Sequence, residues 1–347
     1  MSSTSSSRHI GYDMLRTLAC IMVVLLHVSA QYWYLTPPSE NEWVFMHIWN
    51  SATRCAVPIF FMISGALFLQ AARPGKKFFT RNIPRLACVF ILWSVLYGID
   101  AMTLSGALQN PLKLFDHAMA GHYHLWFLPA MIGVYLLLPA LYAIAHFENG
   151  WALRAFLPVF LVFGIVCGTV AAFDGMIPWG ISMAFAKIAP ELCGCCGYFL
   201  LGYALTKFDA ARIPRIVWIL IYAISVGITA LAGILYSRYT GTATALLHAE
   251  YTLTTFAEAV SLFMLFRTVK VSASSRTGRI FTELSACTLG IYLLHPFILE
   301  RLQTYGFDTR IFSAGLSIPL VTLTTALICL LVSALLRRIP VAGKWIL

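Results

Sequence analysis

The chain has 347 residues, of which 60% are hydrophobic and only 11% are charged. Soluble domains carry roughly 25% charged residues, so this composition excludes an ordinary soluble fold and predicts a membrane protein. The net charge of +10 does not indicate a nucleic-acid partner, because Lys and Arg collect in the short cytoplasmic loops of membrane proteins.

A membrane-spanning helix needs about 20 mostly apolar residues. Candidate spans lie, in chain order, at 11–34, 46–70, 83–104, 124–146, 152–173, 191–206, 215–236, 250–268, 284–303 and 311–336. The sixth is short and rich in glycine, so the count is about nine to eleven. We therefore predict one all-α domain over residues 1–347, a polytopic membrane bundle of about ten transmembrane helices.

The distribution of basic residues predicts the orientation of this bundle, since cytoplasmic loops carry an excess of Lys and Arg. With the N-terminus inside, 18 of the 24 Lys and Arg residues lie on or near the cytoplasmic side. We therefore expect both termini to be cytoplasmic, with a short tail at 1–10 and a C-terminal tail at 337–347. The six basic residues outside this set are Arg54, Lys113, Lys187, Arg238, Arg301 and Arg310.

Cysteine and histidine spacing gives no indication of a metal. The nine cysteines lie mostly in apolar segments, and no spacing resembles a zinc site or a disulfide framework. The histidines are scattered and lack carboxylate or thiolate partners at ligand spacing. The sequence therefore predicts no metal site and assigns most cysteines to packing.

Ionisable residues inside a span are costly, so each is a candidate for function. In the first span, Arg16 and His27 are eleven residues apart. This spacing returns them to within ~20° of one helix face and separates them by ~16 Å along the axis. Two other interpretations remain open: Arg16 as a flanking residue paired with Asp13, and His27 as a hydrogen-bonded histidine of the bundle.

The second span carries a further arginine and a small polar pair. Arg54 lies near its outer end, at about the depth of His27, where it is either a functional cation or an interfacial anchor. Ser64 and Gly65 fall at about the depth of Arg16. Gly65 permits close approach of a neighbouring helix or of a ligand, and Ser64 is more often a packing hydroxyl than a nucleophile.

Two later segments add polar aromatic residues. His124 and Trp126 begin the fourth span, where Trp126 also suits an interfacial aromatic belt. Tyr292 and His295 are three residues apart in the ninth span, on one helix face. Glu300 lies at the end of that span, where it could simply pair with a cation.

These residues resemble the motifs of a known family. Residues 13–27 resemble the Arg-x10-His signature of the acyltransferase-3 family, an arginine followed by ten residues and a histidine. Residues 54–65 resemble that family's second-helix motif, and residues 124–127 and 285–295 resemble its later motifs. The resemblance extends from residue 11 to about residue 296, which is most of the chain.

The resemblance implies a multi-pass enzyme of a bacterial inner membrane. Such an enzyme takes acetyl from cytosolic acetyl-CoA and passes it to a hydroxyl of a cell-surface glycan or its lipid-linked precursor. We accordingly expect acetyl-CoA as co-substrate, with the glycan acceptor and the lipid bilayer as partners.

Residue roles follow as hypotheses. His27 is the expected general base, because a neutral histidine suits proton removal from a sugar hydroxyl near neutral pH. Arg16, with Ser64 and Gly65 at the same depth, is expected to bind the CoA end, since guanidinium binds phosphate through paired hydrogen bonds. Arg54 is expected to stabilise the oxyanion of the tetrahedral intermediate or to orient the acyl group. Acceptor binding or proton relay is assigned to His124, Trp126, Tyr292 and His295.

Two alternatives stay open from the residues alone. Acetyl transfer can be direct or can pass through an acetyl-histidine intermediate. The same buried charges also suit a transporter or flippase for a glycan or a small anion, with no acyl chemistry.

Overall fold

The computed structural model describes residues 8–71, 73–105, 121–173, 176, 183 and 194–339, and every regular element among them is helical. Residues 1–7 and 340–347 of the expected tails, all of 106–120, and 174–193 except 176 and 183 lie outside this range. The helices are α1 Ile10–Ser29, α2 Asn41–Ser51, α3 Ala56–Phe68, α4 Lys76–Ser105, α5 Phe127–Leu136, α6 Leu138–His146, α7 Trp151–Val159, α8 Cys167–Ala171, α9 Gly194–Lys207, α10 Arg215–Thr240, α11 Leu253–Arg267, α12 Arg276–Thr304 and α13 Ala314–Arg337.

The prediction of an all-helical membrane protein is confirmed. Within the described residues, seven helical stretches are long and apolar enough to cross a membrane. The predicted spans around α9 and α11 are not among them, because the described part of α9 has 14 residues and α11 has 15. The total of about ten spans and the cytoplasmic position of the termini stay predictions. The seven stretches are Ile10–Ser29, Asn41–Phe68, Lys76–Ala101, Leu138–Ala171, Arg215–Thr240, Arg276–Thr304 and Ala314–Arg337.

The apolar stretch from α6 to α8 contains a reversal of the chain. Residues 148–150 have positive φ angles of 43°, 53° and 84°, which end a right-handed helix. Before them, His146 Nε2 lies 3.1 Å from the hydroxyl of Tyr203, near the end of α9. After them, Phe160 packs against Tyr198, near the beginning of α9. The chain therefore turns back at 148–150, as the separate fourth and fifth predicted spans require.

Helix α1 lies at the centre of the bundle, where it packs against α2, α3, α11, α12 and α13. The apolar segment of α1 is 61% buried inside the bundle, whereas that of α10 is only 28% buried. The outward face of α10 is an apolar stripe at helical spacing, which suits contact with lipid. That stripe consists of Ile216, Leu220, Ile224, Ile228, Leu231 and Leu235.

Two glycines allow α3 and α9 to cross at very short range. A Cβ atom added to Gly65 would lie 1.7 Å from the carbonyl oxygen of Phe199. A Cβ atom added to Gly202 would lie 2.0 Å from the carbonyl oxygen of Met62. Small residues bring helix backbones together in membranes through dispersion contacts, so this crossing holds α3 in position beside α1.

We expect Gly65→Ala to destabilise the bundle, because the added methyl group must push α3 away from α9. Overpacking of this kind costs about 1–3 kcal/mol. The measurement is thermal unfolding of the purified protein in detergent. Gly227→Ala in α10 is the matched control, since a Cβ there meets nothing within 4 Å. Equal melting temperatures for the two variants would contradict the crossing.

Candidate active site

A cavity of about 430 Å³ lies between α1, α3, α4, α5 and α12. Arg16 and His27 both line it, so the two residues share one face of α1 as their spacing predicted. We call it the inner cavity. Its polar lining residues are Arg16, His27, Ser64, Arg85, His124, Trp126, Tyr135, Ser285, Thr288 and Tyr292.

One end of the inner cavity is cationic. There the Arg16 guanidinium donates to Ser285 Oγ of α12 at 3.4 Å. Asp13 is not its partner, because both carboxylate oxygens of Asp13 accept from Arg8, at 2.6 and 2.9 Å. Among the described residues, no carboxylate lies within ion-pair distance of Arg16. Arg16 therefore makes no direct ion pair with Asp13, although the Asp13 carboxylate still acts on it electrostatically.

Aromatic and imidazole rings form the other end of the inner cavity. The ring of His27 stacks on that of His295, with centroids 5.1 Å apart, and meets Tyr123 edge-on at 5.1 Å. His295 also contacts His124 at 5.3 Å in an edge-on arrangement. The Tyr292 hydroxyl donates to the backbone carbonyl of His124. This end thus collects three histidines from α1, α12 and the segment that precedes α5.

A second, larger cavity of about 760 Å³ lies at the face of the bundle where α1 begins. We call it the vestibule; it is lined by Arg8, His9, Tyr12, Asp13, Arg16, Leu67, Gln70, Thr206 and Arg267. Arg16 lines both cavities, so it lies at their junction.

The vestibule carries an excess of positive charge, because its lining has three arginines and one aspartate. Arg267 also donates to the backbone carbonyl of Thr206 at 2.8 Å, which satisfies a free carbonyl at the end of α9. Burial, and secondarily the charge of Arg267, lower the pKa of His9, so this imidazole is neutral near pH 7. The positive charge of the vestibule therefore comes from its arginines.

Arg54, the expected oxyanion residue, does not line the inner cavity. Its guanidinium donates to the side-chain oxygen of Asn50 and to the backbone carbonyl of His248, the latter at 3.4 Å. The His248 ring stacks on His47 with centroids 4.7 Å apart. Arg54 thus belongs to a separate polar cluster, although its charge still acts electrostatically on His27.

The structure brings together most of the predicted site residues. Gly65 does not line either cavity, and its α-carbon instead faces the backbone of α9 at the helix crossing. His295 contacts the site through the rings of His27 and His124 and is not itself a lining residue. The predicted residues that line the inner cavity are Arg16, His27, Ser64, His124, Trp126 and Tyr292.

Sequence reasoning missed other polar residues of the cavity. Arg85 is one of the 18 basic residues that the sequence assigns to the cytoplasmic side, and the structure places it in the lining of the inner cavity. Tyr135 and Thr288 have no distinguishing sequence feature, since both lie in ordinary apolar helices. Within the described residues, no group of three or more His, Cys, Asp or Glu side chains is placed to hold a metal ion.

Comparisons with known proteins identify the family. The model of the acyltransferase-3 family, described as an acyltransferase domain, matches residues 9–338. The chain therefore belongs to that family, and it is a membrane protein. A protein of Enterococcus faecalis named amino-acid racemase is 23% identical over 175 residues, which are 46% of this chain and only 22% of that relative. No solved structure matches the chain.

We expect Tyr292→Phe to lower thermal stability in detergent, because it leaves the carbonyl of His124 without its hydroxyl donor. An unsatisfied buried polar group costs about 1–3 kcal/mol. Tyr239→Phe is the control, since Tyr239 is 87% exposed. An unchanged melting temperature in Tyr292→Phe would show that this hydrogen bond does not hold the segment before α5.

Proposed function

We propose that the protein is an O-acetyltransferase of a bacterial inner membrane, which moves acetyl from cytosolic acetyl-CoA to a hydroxyl of a cell-surface glycan or its lipid-linked precursor. The main supporting observation is the path along one face of α1. Arg16 lies where the cationic vestibule meets the inner cavity, and His27 lies further along the same cavity. We place the vestibule in the cytosol, in agreement with the excess of basic residues assigned to that side.

The vestibule suits the nucleotide end of CoA. The pyrophosphate and the 3′-phosphate of CoA are strongly anionic, and arginine binds phosphate through two parallel hydrogen bonds. Arg8, Arg16 and Arg267 supply this charge. The acyl-pantetheine arm then enters the inner cavity past Arg16 and Ser64, and it needs to reach ~16 Å to bring the thioester to His27.

The imidazole end of the cavity suits the chemistry. The acceptor hydroxyl oxygen attacks the acetyl carbonyl carbon, while His27 takes the hydroxyl proton. The carbon–sulfur bond then breaks, and the proton passes to the CoA thiolate, so the reaction consumes no net proton. General-base catalysis contributes about 10²–10⁴-fold. Direct transfer and an acetyl-His27 intermediate are both compatible with this arrangement.

In our proposal, the positive charge of Arg54 affects this reaction electrostatically, without direct contact with the reacting atoms. Its hydrogen bonds to Asn50 and to the His248 backbone fix the guanidinium close enough to His27 to influence it electrostatically. A cation held there stabilises negative charge that develops on the carbonyl oxygen of the thioester. The direct oxyanion contact expected from the sequence requires a rearrangement of Arg54 toward the inner cavity.

The acceptor is proposed to bind beside His124, Trp126 and Tyr292, with His295 supporting the two histidine rings. Trp126 lines the cavity and is 45% exposed, so its ring offers a sugar a flat surface at the cavity entrance. Residues 50–54 and 289–292 resemble the enterobacterial common antigen O-acetyltransferase. We therefore propose that antigen or its lipid-linked precursor as the first acceptor to test.

The direct test uses the purified protein in nanodiscs with radiolabelled acetyl-CoA, and it measures binding and the release of free CoA. Wild type should bind acetyl-CoA and release CoA when a membrane glycolipid extract is added. Arg16→Ala should lose binding, whereas His27→Ala should bind normally and release CoA at least about a hundredfold more slowly. Arg212→Ala is the matched control, since this arginine is largely exposed and paired with Asp209.

Two outcomes would contradict the proposal. Full CoA release by a well-folded His27→Ala variant would remove His27 from the chemistry. A wild-type protein that neither binds acetyl-CoA nor releases CoA would favour the transporter or flippase. The racemase relative offers no third candidate, because the chain aligns with only 22% of that protein.

A further inference from the structure

A chain of polar contacts leads from the imidazole end of the inner cavity toward the surface. His122 Nδ1 and His124 Nδ1 lie 2.9 Å apart, and His122 Nε2 lies 3.4 Å from a carboxylate oxygen of Glu300. The solvent exposure of these residues rises from His124 to Glu300. The His124 residue is 3% exposed, while the side chains of His122 and Glu300 are 20% and 36% exposed. Glu300 belongs to α12, whereas both histidines precede α5, so the contacts join two distant parts of the sequence.

The order of donors and acceptors follows from the groups at the ends. A carboxylate only accepts, so His122 carries a proton on Nε2, and in its neutral form its Nδ1 has the lone pair. His124 Nδ1 must then be the donor to His122 Nδ1. A neutral His124 therefore has its lone pair on Nε2, and this buried atom has no hydrogen-bond partner. Because His124 lines the inner cavity, this lone pair is an unused proton acceptor at the proposed reaction site.

Other groups that face these rings do not reverse this order. Tyr97 of α4 stacks on His122 at 4.2 Å, and its hydroxyl donates to the carbonyl of Leu293 at 2.8 Å. His295 of α12 faces His124 edge-on, and its own Nδ1 donates to the carbonyl of Tyr292 at 2.7 Å. The remaining neighbours are His27 of α1 and Tyr123 beside the two histidines. Glu300 is thus the negatively charged group in contact with this set of rings.

We propose that Glu300, His122 and His124 form a relay that holds the acceptor's proton while the acetyl group moves. This inference rests on the proposed function and extends it. The relay assigns His124 a role in the reaction and makes Glu300 and His122 positioning residues that act through it.

The proton transfers balance without an external donor. A proton taken by His27 passes to His124 Nε2, the Nδ1 proton of His124 moves to His122 Nδ1, and His122 becomes an imidazolium. The positive charge then lies beside the Glu300 carboxylate instead of beside the Arg54 cation, which is electrostatically favourable. The reverse transfers return one proton to the CoA thiolate when the carbon–sulfur bond breaks.

Glu300→Gln tests the relay, because it keeps an oxygen acceptor for His122 but removes the negative charge. We expect CoA release to fall about ten- to a hundredfold, by analogy with the carboxylate partners of metal-bound histidines, whose loss costs about that much. We also expect His124 to lose its preference for a proton on Nδ1, because the amide of glutamine can donate to His122 Nε2 as well as accept from it.

The matched control is Glu283→Gln, the same substitution near the other end of α12. Glu283 is 76% exposed and lies 3.5 Å from Arg337, so this variant should keep the wild-type rate and the wild-type tautomer of His124. A Glu300→Gln variant with wild-type rate and tautomer would overturn the relay. A slower variant in which the His124 proton stays on Nδ1 would also overturn it, because that result indicates only a structural role for the carboxylate.

A second measurement separates failure of the relay from failure of the proposed function. Nitrogen NMR of ring-labelled histidines, assigned through His124→Gln, reports which nitrogen of His124 carries the proton whether or not the protein turns over. We expect Nδ1 protonated and Nε2 unprotonated in wild type near neutral pH. A proton on Nε2 would overturn the relay, whereas lack of CoA release from wild type would count against the acetyltransferase itself.

Discussion

The helical period of α1 is the constraint on which the site depends. Eleven residues bring Arg16 and His27 back to nearly the same face, and α1 is enclosed by five other helices, so this face can only open into the interior of the bundle. Inserting one residue between them would rotate His27 by about 100° and turn it away from the cavity. Because α1 connects the two ends of the cavity, its register fixes the distance between the donor-binding end and the reacting end.

The helices around α1 supply the polar partners that its two buried side chains need. Polar side chains inside a membrane protein need polar partners, since lipid offers none. Ser285 of α12 provides one for Arg16, and the rings of α12 and of the segment before α5 surround His27. The glycine crossing between α3 and α9 contributes by allowing α3 close to the core, so that Ser64 reaches the cavity. Gly65 therefore supports the site through packing.

Local sequence reasoning predicted those parts of the site that one helix determines. The shared face of Arg16 and His27 requires only the period of 3.6 residues. The helical period of one helix could not predict where Arg54 lies. Its contact with the segment before α11 depends on how separate helices pack. The same holds for Glu300 and His122, which are far apart in sequence. The reversal at residues 148–150, by contrast, falls in the gap between the fourth and fifth spans that the sequence predicts.

The separation of charge between the two cavities also constrains the reaction. The vestibule holds arginines where a polyanionic nucleotide can neutralise them. The far end of the inner cavity holds imidazoles, which are neutral when unprotonated. Burying neutral rings has a smaller desolvation cost than burying guanidinium cations. A thioester that reaches this end leaves its phosphates behind, so the reacting atoms meet few fixed charges. Charge that appears there during the reaction is then strongly felt by nearby groups in the low-dielectric interior. A carboxylate buried beside the reacting atoms would repel the developing oxyanion. A carboxylate nearer the protein surface, such as Glu300, can stabilise a transient imidazolium on His122 without that repulsion, and it is therefore more effective.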